Sequence, residues 1–202
     1  MISAAVDNDT GDVSAAGDRR LWLATPLDTT RNSFRIMKLL KGNGTMPIIC
    51  DISVESLDDN PFYEALSYVW GDDKITKDII VRGVTISVTV NLFKFLSVLR
   101  SPTTDKLIWA DAICIDQTND KEKTHQIGLM TRIYRNCRKA HIWFDHFTPD
   151  WEQEASHSHD YRMTYEMTAP ISWLLVMDCV RWLLTRPWWT RVWTLQEAVL
   201  PR

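Results

Sequence analysis

The strongest constraint on this chain lies between residues 107 and 144. Leu107–Ile115 (LIWADAICI) is a nearly continuous apolar run, as expected of a strand covered on both faces. Asn119 with Glu122 three residues later is a capping-box pattern that opens a helix. Beyond it Ile127, Met130, Tyr134 and Cys137 recur at spacings of 3, 4 and 3, one apolar stripe of a helix. Ala140–Phe144 (AHIWF) is a second short apolar run. A strand, a helix and a strand in that order close as a crossover between parallel strands. The expected fold is therefore α/β, with a mainly parallel sheet flanked by helices. The 107–115 and 140–144 strands should be parallel neighbours or near-neighbours in that sheet.

The flanking segments extend it. Phe34–Leu40 and Pro47–Ile52 are β-type runs around the turn cluster Lys41-Gly42-Asn43-Gly44 and read as a hairpin. Tyr63–Trp70 (YEALSYVW) is a further strand, stopped by Gly71-Asp72-Asp73. Lys77–Arg82 and Val84–Val88 flank Arg82-Gly83 and read as an added β-hairpin. Asn91 is placed to cap a helix running to Arg100, ended by Ser101-Pro102. Residues 1–18 are small, polar and acidic, expected to be a disordered leader. Residues 19–202 are expected to form one domain, with a polar insertion at 146–168 and helices at 171–185 and 189–199. The apolar segment just before Pro201-Arg202 fits a natural chain that continues.

Charge and composition remove several functions. The 202 residues carry 23 basic and 26 acidic side chains, a balance of −3, with no basic block to hold nucleic acid by bulk electrostatics. The longest uncharged stretches, such as Gly83–Phe93, reach 11 residues, short of the ~18 of a membrane span. No apolar stretch in the leader resembles a secretory signal. Cysteines 50, 114, 137 and 179 lie far apart beside apolar neighbours, as reduced core residues of an intracellular protein would. There are only seven glycines. Gly42 and Gly44 have Pro47 where a dinucleotide fingerprint wants its third glycine, and no Gly-Lys-Ser/Thr occurs, so a P-loop and the common Rossmann phosphate clamp are excluded. No Cys-x-x-Cys or His-Glu-x-x-His occurs. His157 and His159 merely alternate in a polar stretch, so no metal site is expected.

Three groups of residues invite chemistry. Arg132, Arg135, Arg138 and Lys139 are either an anion site or a solvated helix face complementing the helix dipole. Asp111 interrupts an apolar strand. It is either tied by backbone amides or an arginine, or it faces a ligand crevice beyond the carboxyl ends of parallel strands, together with Asp116, Gln117 and Gly71-Asp72-Asp73. Trp193 and Glu197 are four apart and share a helical face, with Arg186 and Arg191 close by. A glutamate on an aromatic face suits acid–base or cation-stabilising work. The alternative is an Arg–Glu surface pair beside core tryptophans, of which the chain holds ten, six of them in its last 52 positions.

Tyr63–Gly71 (YEALSYVWG), Trp109–Gln117 (WADAICIDQ) running on to Gln126–Tyr134 (QIGLMTRIY), and Arg186–Glu197 (RPWWTRVWTLQE) resemble the three signature blocks of the HET (heterokaryon incompatibility) domain of filamentous fungi. Val88–Arg100 is similar to that family's linking helix, and the resemblance spans roughly residues 34–200. It implies a cytoplasmic protein of non-self recognition whose activation triggers programmed cell death. HET domains in turn look like distant relatives of TIR domains, which implies a flavodoxin-like parallel sheet. Ala65–Asp73 is similar to the TIR first-strand pattern with one extra residue before the glycine, and Trp193-x-x-x-Glu197 is similar to the TIR Trp-x-x-x-Glu motif. That likeness implies Glu197 as the carboxylate of NAD cleavage, with Tyr68, Trp70, Gly71, Asp111, Arg191 and Trp193 as substrate contacts. NAD is then a substrate, and no cofactor or metal is required. The competing implication is a self-associating interaction module with no chemistry. Both allow self-association and contacts with other incompatibility proteins, and neither involves nucleic acid or a membrane span.

Overall fold

In a computed structural model the chain is described over residues 21–44, 46–144 and 183–190. The expected leader at 1–18, the insertion at 146–168 and most of the helices expected at 171–185 and 189–199 lie outside the described residues, and Trp189 and Thr190 end a 3₁₀ turn. Seven strands form one sheet: β1 (Ser33–Leu39), β2 (Ile49–Ser56), β3 (Glu64–Tyr68), β4 (Thr76–Val81), β5 (Val84–Thr89), β6 (Lys106–Trp109) and β7 (Lys139–Trp143), in the order β5-β4-β2-β1-β6-β3-β7. The described residues also hold the helices α1 (Val90–Leu99), the single turn α2 (Asp111–Cys114), and α3 (Asp120–Asn136).

The crossover expected from the 107–144 pattern is present. β6 and β7 are near-neighbours, both parallel to β3, which lies between them. The sheet as a whole is mixed, which corrects the expectation of a mainly parallel one. β1 runs antiparallel to both β2 and β6, while β2 is parallel to β4 and β4 antiparallel to β5. The β1–β2 hairpin is thus built into the sheet interior. Its own sequence explains the position: every residue of β1 except Lys38 is buried, and such a strand needs cover on both faces and partners on both edges. The β4–β5 hairpin forms as expected. Arg82 (φ 52°) and Gly83 (φ 77°) both take the left-handed backbone that a two-residue turn matched to strand twist requires.

Two boundaries differ from the sequence reading. The apolar run at 107–115 is not one strand, because β6 stops at Trp109 and residues 111–114 form α2. Asp111 is the cause: its carboxylate accepts the Ala112 amide at 2.9 Å, a local bond that competes with a sheet ladder. At α1, Thr89 is the cap and its side chain accepts the Leu92 amide. Asn91 lies inside the helix and is used elsewhere. At α3 the expected cap is in place, with the Asn119 side chain accepting the Glu122 amide.

Ladder register shows how the sheet is covered. Trp109 is level with Ala65, and Ala65 and Tyr68 point to opposite faces because side chains alternate along a strand. Tyr134 of α3 meets Trp109 edge-on at 5.5 Å. Phe95 of α1 meets Tyr68 at 6.1 Å and stacks on Trp143 at 5.2 Å. The two long helices therefore cover opposite faces around the parallel trio. Tyr63 and Tyr134 donate their hydroxyls to the carbonyls of Ile133 and Leu66, which pins α3 to β3. Cys50, Cys114 and Cys137 are buried and unbridged. Burial pushes the Cys50 and Cys114 thiols up to about 12 and that of Cys137 to about 11, so they are unreactive core side chains.

A buried ion pair links the sheet to α3. Arg35 of β1 is fully buried and grips both carboxylate oxygens of Glu122 at 2.5 and 3.1 Å. Its remaining donors reach the Cys114 carbonyl at 3.1 Å and the Thr25 carbonyl at 2.8 Å. Glu122 also accepts the Asp116 amide at 2.7 Å. Replacing Glu122 with alanine is expected to strand the guanidinium and cost about 3–5 kcal/mol. A urea titration checks this through the unfolding midpoint. Arg35→Met combined with Glu122→Leu should recover much of the loss, since apolar replacement of both partners leaves no orphaned charge.

Candidate functional site

The carboxyl ends of the parallel trio bring together three segments that are far apart in sequence. β3 ends at Tyr68 and β7 at Trp143, directly opposite it. β6 ends at Trp109, level with Ala65, and the chain then turns into α2 beside the segment that follows β3. There the Trp70 indole N–H donates to the Asp111 carboxylate at 3.0 Å. Asp111 holds the Ala112 amide with its other oxygen, and its backbone carbonyl accepts from the Gln117 side chain at 3.0 Å.

The backbone under Trp70 is held from α1. Asn91 donates its side-chain amide to the Val69 carbonyl at 3.0 Å. Gly71 follows with φ +79°, and a Cβ there would lie 2.9 Å from the Asn91 amide nitrogen. Only glycine combines that left-handed backbone with so close an approach.

The third segment is the 3₁₀ turn Pro187–Thr190. Trp188 is buried and donates its indole N–H to the Ser67 hydroxyl of β3 at 2.6 Å. Phe144, just past β7, meets Trp188 edge-on at 5.2 Å and stacks on Trp189 at 6.3 Å. Trp189 is itself partly exposed. An aromatic wall thus stands beside the ends of β3 and β7.

The expected site residues fall into three groups. Trp70, Gly71 and Asp111 come together. Tyr68 is fully buried against Phe95, so it supports the site from the core. Glu197, Arg191 and Trp193 lie outside the described residues. The Asp111 carboxylate holds the Ala112 amide and the Trp70 indole N–H, at the carboxyl end of β6. Asp72 and Asp116 serve turns, accepting the amides of Lys74 and Thr118. The basic residues are spread out: Arg132 pairs with Asp58 at 2.9 Å and Arg138 lies 4.9 Å over the Phe62 ring. Ser67 and Phe144 were not singled out from sequence, and Asn91 was read only as a helix cap, a pattern that hides its bond to Val69. Among the described residues no group of three or more His, Cys, Asp or Glu side chains is arranged to hold a metal, and no helix is long and apolar enough to cross a membrane.

A family model described as "Heterokaryon incompatibility protein (HET)" matches residues 63–197. Heterokaryon incompatibility protein 6, OR allele, of Neurospora crassa is 28% identical over 146 residues, covering 65% of this chain and 22% of that protein. Vegetative incompatibility protein HET-E-1 of Podospora anserina is 25% identical over 144 residues, covering 70% of this chain and 9% of that protein. The chain thus spans less than a quarter of the length of these relatives. No solved structure matches it.

The Gly71 contact is directly testable. Gly71→Ala must place its Cβ against Asn91 on a left-handed backbone and is expected to cost about 1–3 kcal/mol. Asn91→Ala opens the space but gives up the Val69 bond. Thermal melting of both single variants and the double variant should show a combined loss smaller than the sum of the two, as for residues in contact.

Proposed function

The chain belongs to the heterokaryon incompatibility (HET) family, and we propose that it acts in fungal incompatibility as a domain whose activation leads to cell death. We further propose that its output is cleavage of NAD at the carboxyl ends of β6, β3 and β7, with Glu197 as the essential carboxylate. One observation carries the reading. The segments that follow β3 and β6 and the turn at 187–190 converge on these strand ends, through the Trp70–Asp111 and Trp188–Ser67 bonds. Strand ends of this kind are where ligand crevices of parallel sheets lie. Kinship with flavodoxin-like TIR domains, part of the same proposal, is supported by the three parallel strands and the α3 crossover.

The chemistry suits the residues. Breaking the bond from ribose to nicotinamide develops oxocarbenium character on the sugar, as in glycoside cleavage. A carboxylate beside the ribose stabilises that charge until a water molecule adds to the anomeric carbon and gives up a proton to solvent, and nicotinamide departs as a neutral base, so no strong general acid is needed. Arg191 is the proposed partner of the pyrophosphate, and Trp70 and Trp193 are the proposed contacts of the bases. Binding energy spent on the bases and phosphates holds the ribose in place for the bond to break.

A second reading, a self-associating module without chemistry, is favoured by the exposed Leu184 and Trp189, since tryptophan is common at interface hot spots. The two separate in one experiment. The Glu197→Gln variant should release nicotinamide from NAD several hundredfold more slowly than the parent, for about 3–4 kcal/mol of lost transition-state stabilisation. Its melting temperature should be nearly unchanged. Equal release by both proteins would overturn the catalytic role. A sharp drop in melting temperature would place Glu197 in a structural pair with Arg191. Absence of nicotinamide release by the parent, with light scattering that grows with concentration, would favour the module.

A further inference from the structure

Trp70 combines two properties that seldom go together. The residue is 37% exposed, yet it is fixed at both ends. Its indole N–H is bonded to the Asp111 carboxylate. Its backbone is held between the Val69 carbonyl, gripped by Asn91, and the left-handed Gly71. An exposed ring with no task gains nothing from a charged bond to its N–H and a glycine-only turn beside it. A ring that must receive a flat ligand does gain, because little freedom remains to be lost on binding. The carboxylate also matters electronically. A negative acceptor on the N–H pushes electron density into the indole and makes its face a better partner for a positive ring.

We propose that Trp70 is the platform for a cationic nitrogen heterocycle, the pyridinium ring of oxidised NAD, with Asp111 and Asn91 as positioning residues. This rests on the NAD reading above and refines it. It assigns Trp70 to the charged end of the dinucleotide. It also moves Asp111 from substrate contact to support of the indole, since one of its carboxylate oxygens holds the Trp70 N–H and the other holds the Ala112 amide. Because the nicotinamide ring loses its charge when the bond to ribose breaks, a platform tuned to the cation also lets the product go.

The test uses the full chain and measures binding directly. Four ligands serve as probes: oxidised NAD, its reduced form, 1-methylnicotinamide (a pyridinium without ribose) and neutral nicotinamide. Ligand-observed NMR gives the affinities. The parent should prefer each cationic ring over its neutral counterpart. Trp70→Ala should weaken oxidised NAD and 1-methylnicotinamide by roughly five- to a hundredfold, and the neutral ligands much less. Trp70→Phe keeps a ring without the N–H and should lie between. Asp111→Asn retains an acceptor for the indole but not its negative charge and should lie between the parent and Asp111→Ala, which should approach Trp70→Ala. A purely structural role for Asp111 would lower melting temperature without changing the preference for cations. Equal loss of charged and neutral ligands in Trp70→Ala, or no loss at all, would overturn the proposal. The two readings fail separately. Trp70-dependent binding of 1-methylnicotinamide by a protein that never cleaves NAD would remove the cleavage and keep the platform. Cleavage with no dependence on Trp70 would do the reverse. Failure to bind any of the four overturns both.

Discussion

The structure depends on one buried charge being satisfied. A guanidinium taken wholly out of water is affordable only when its donors are matched, and Arg35 meets that condition by gathering four pieces of chain. Glu122 comes from the start of α3, the Cys114 carbonyl from the end of α2, the Thr25 carbonyl from the segment before β1, and Arg35 itself from the sheet interior. The same Glu122 carboxylate takes the Asp116 amide. Each partner is needed by the others, so the distance between β1 and the start of α3 has little room to vary. Apolar packing alone, of Trp109 on Tyr134 or Phe34 on Tyr63, would tolerate sliding. The charged cluster does not.

That constraint reaches the strand ends by a short route. Residues 111–117 hang between two anchors. Cys114 and Asp116 are bonded to the ion pair, while Asp111 is bonded to Trp70 at its carboxylate and to Gln117 at its carbonyl. On the other side, α1 holds the segment that carries Trp70, through the bond from Asn91 to the Val69 carbonyl. The exposed indole is therefore supported by elements on both faces of the sheet. Support of this kind is what separates a preorganised aromatic surface from a tryptophan left at the surface by chance.

Much of this was legible in the sequence, and the failures have physical causes. The 107–144 segment announced its crossover because helix and strand periods differ and the cap at Asn119 marks the boundary. The β4–β5 hairpin was legible from Arg82-Gly83. The interior position of the β1–β2 hairpin was not, because strand order is set by partners remote in sequence; burial on both faces of FRIMKL was the available clue. The strand break after Trp109 turned on a single side chain, Asp111, whose bond to the next amide outweighed an apolar run that otherwise reads as strand. Asn91 fits the cap pattern so well that its bond to Val69, 22 residues away in sequence, could not be seen locally. Asp111 was recognised as a carboxylate needing partners, but the indole partner was not among those considered. Arg35 went unremarked because a lone arginine in a strand carries no periodic signal, and its need for a carboxylate 87 residues away becomes visible only in three dimensions.

These connections bear on how an effect could travel through the domain. A carboxylate bonded to an indole is sensitive to small displacements, since such bonds weaken steeply with distance and angle. Asp111 is one residue from Ala112 and three from Cys114, whose carbonyl is held by Arg35. A shift of α3 relative to β1 would therefore act on the Trp70 ring through a single helical turn, with no side chain of intermediate freedom to absorb it. Conversely, anything that immobilises Trp70 would stiffen the 111–117 segment and, through Asp116, the start of α3. The path between the two is short, a single helical turn of chain from Asp111 to Cys114.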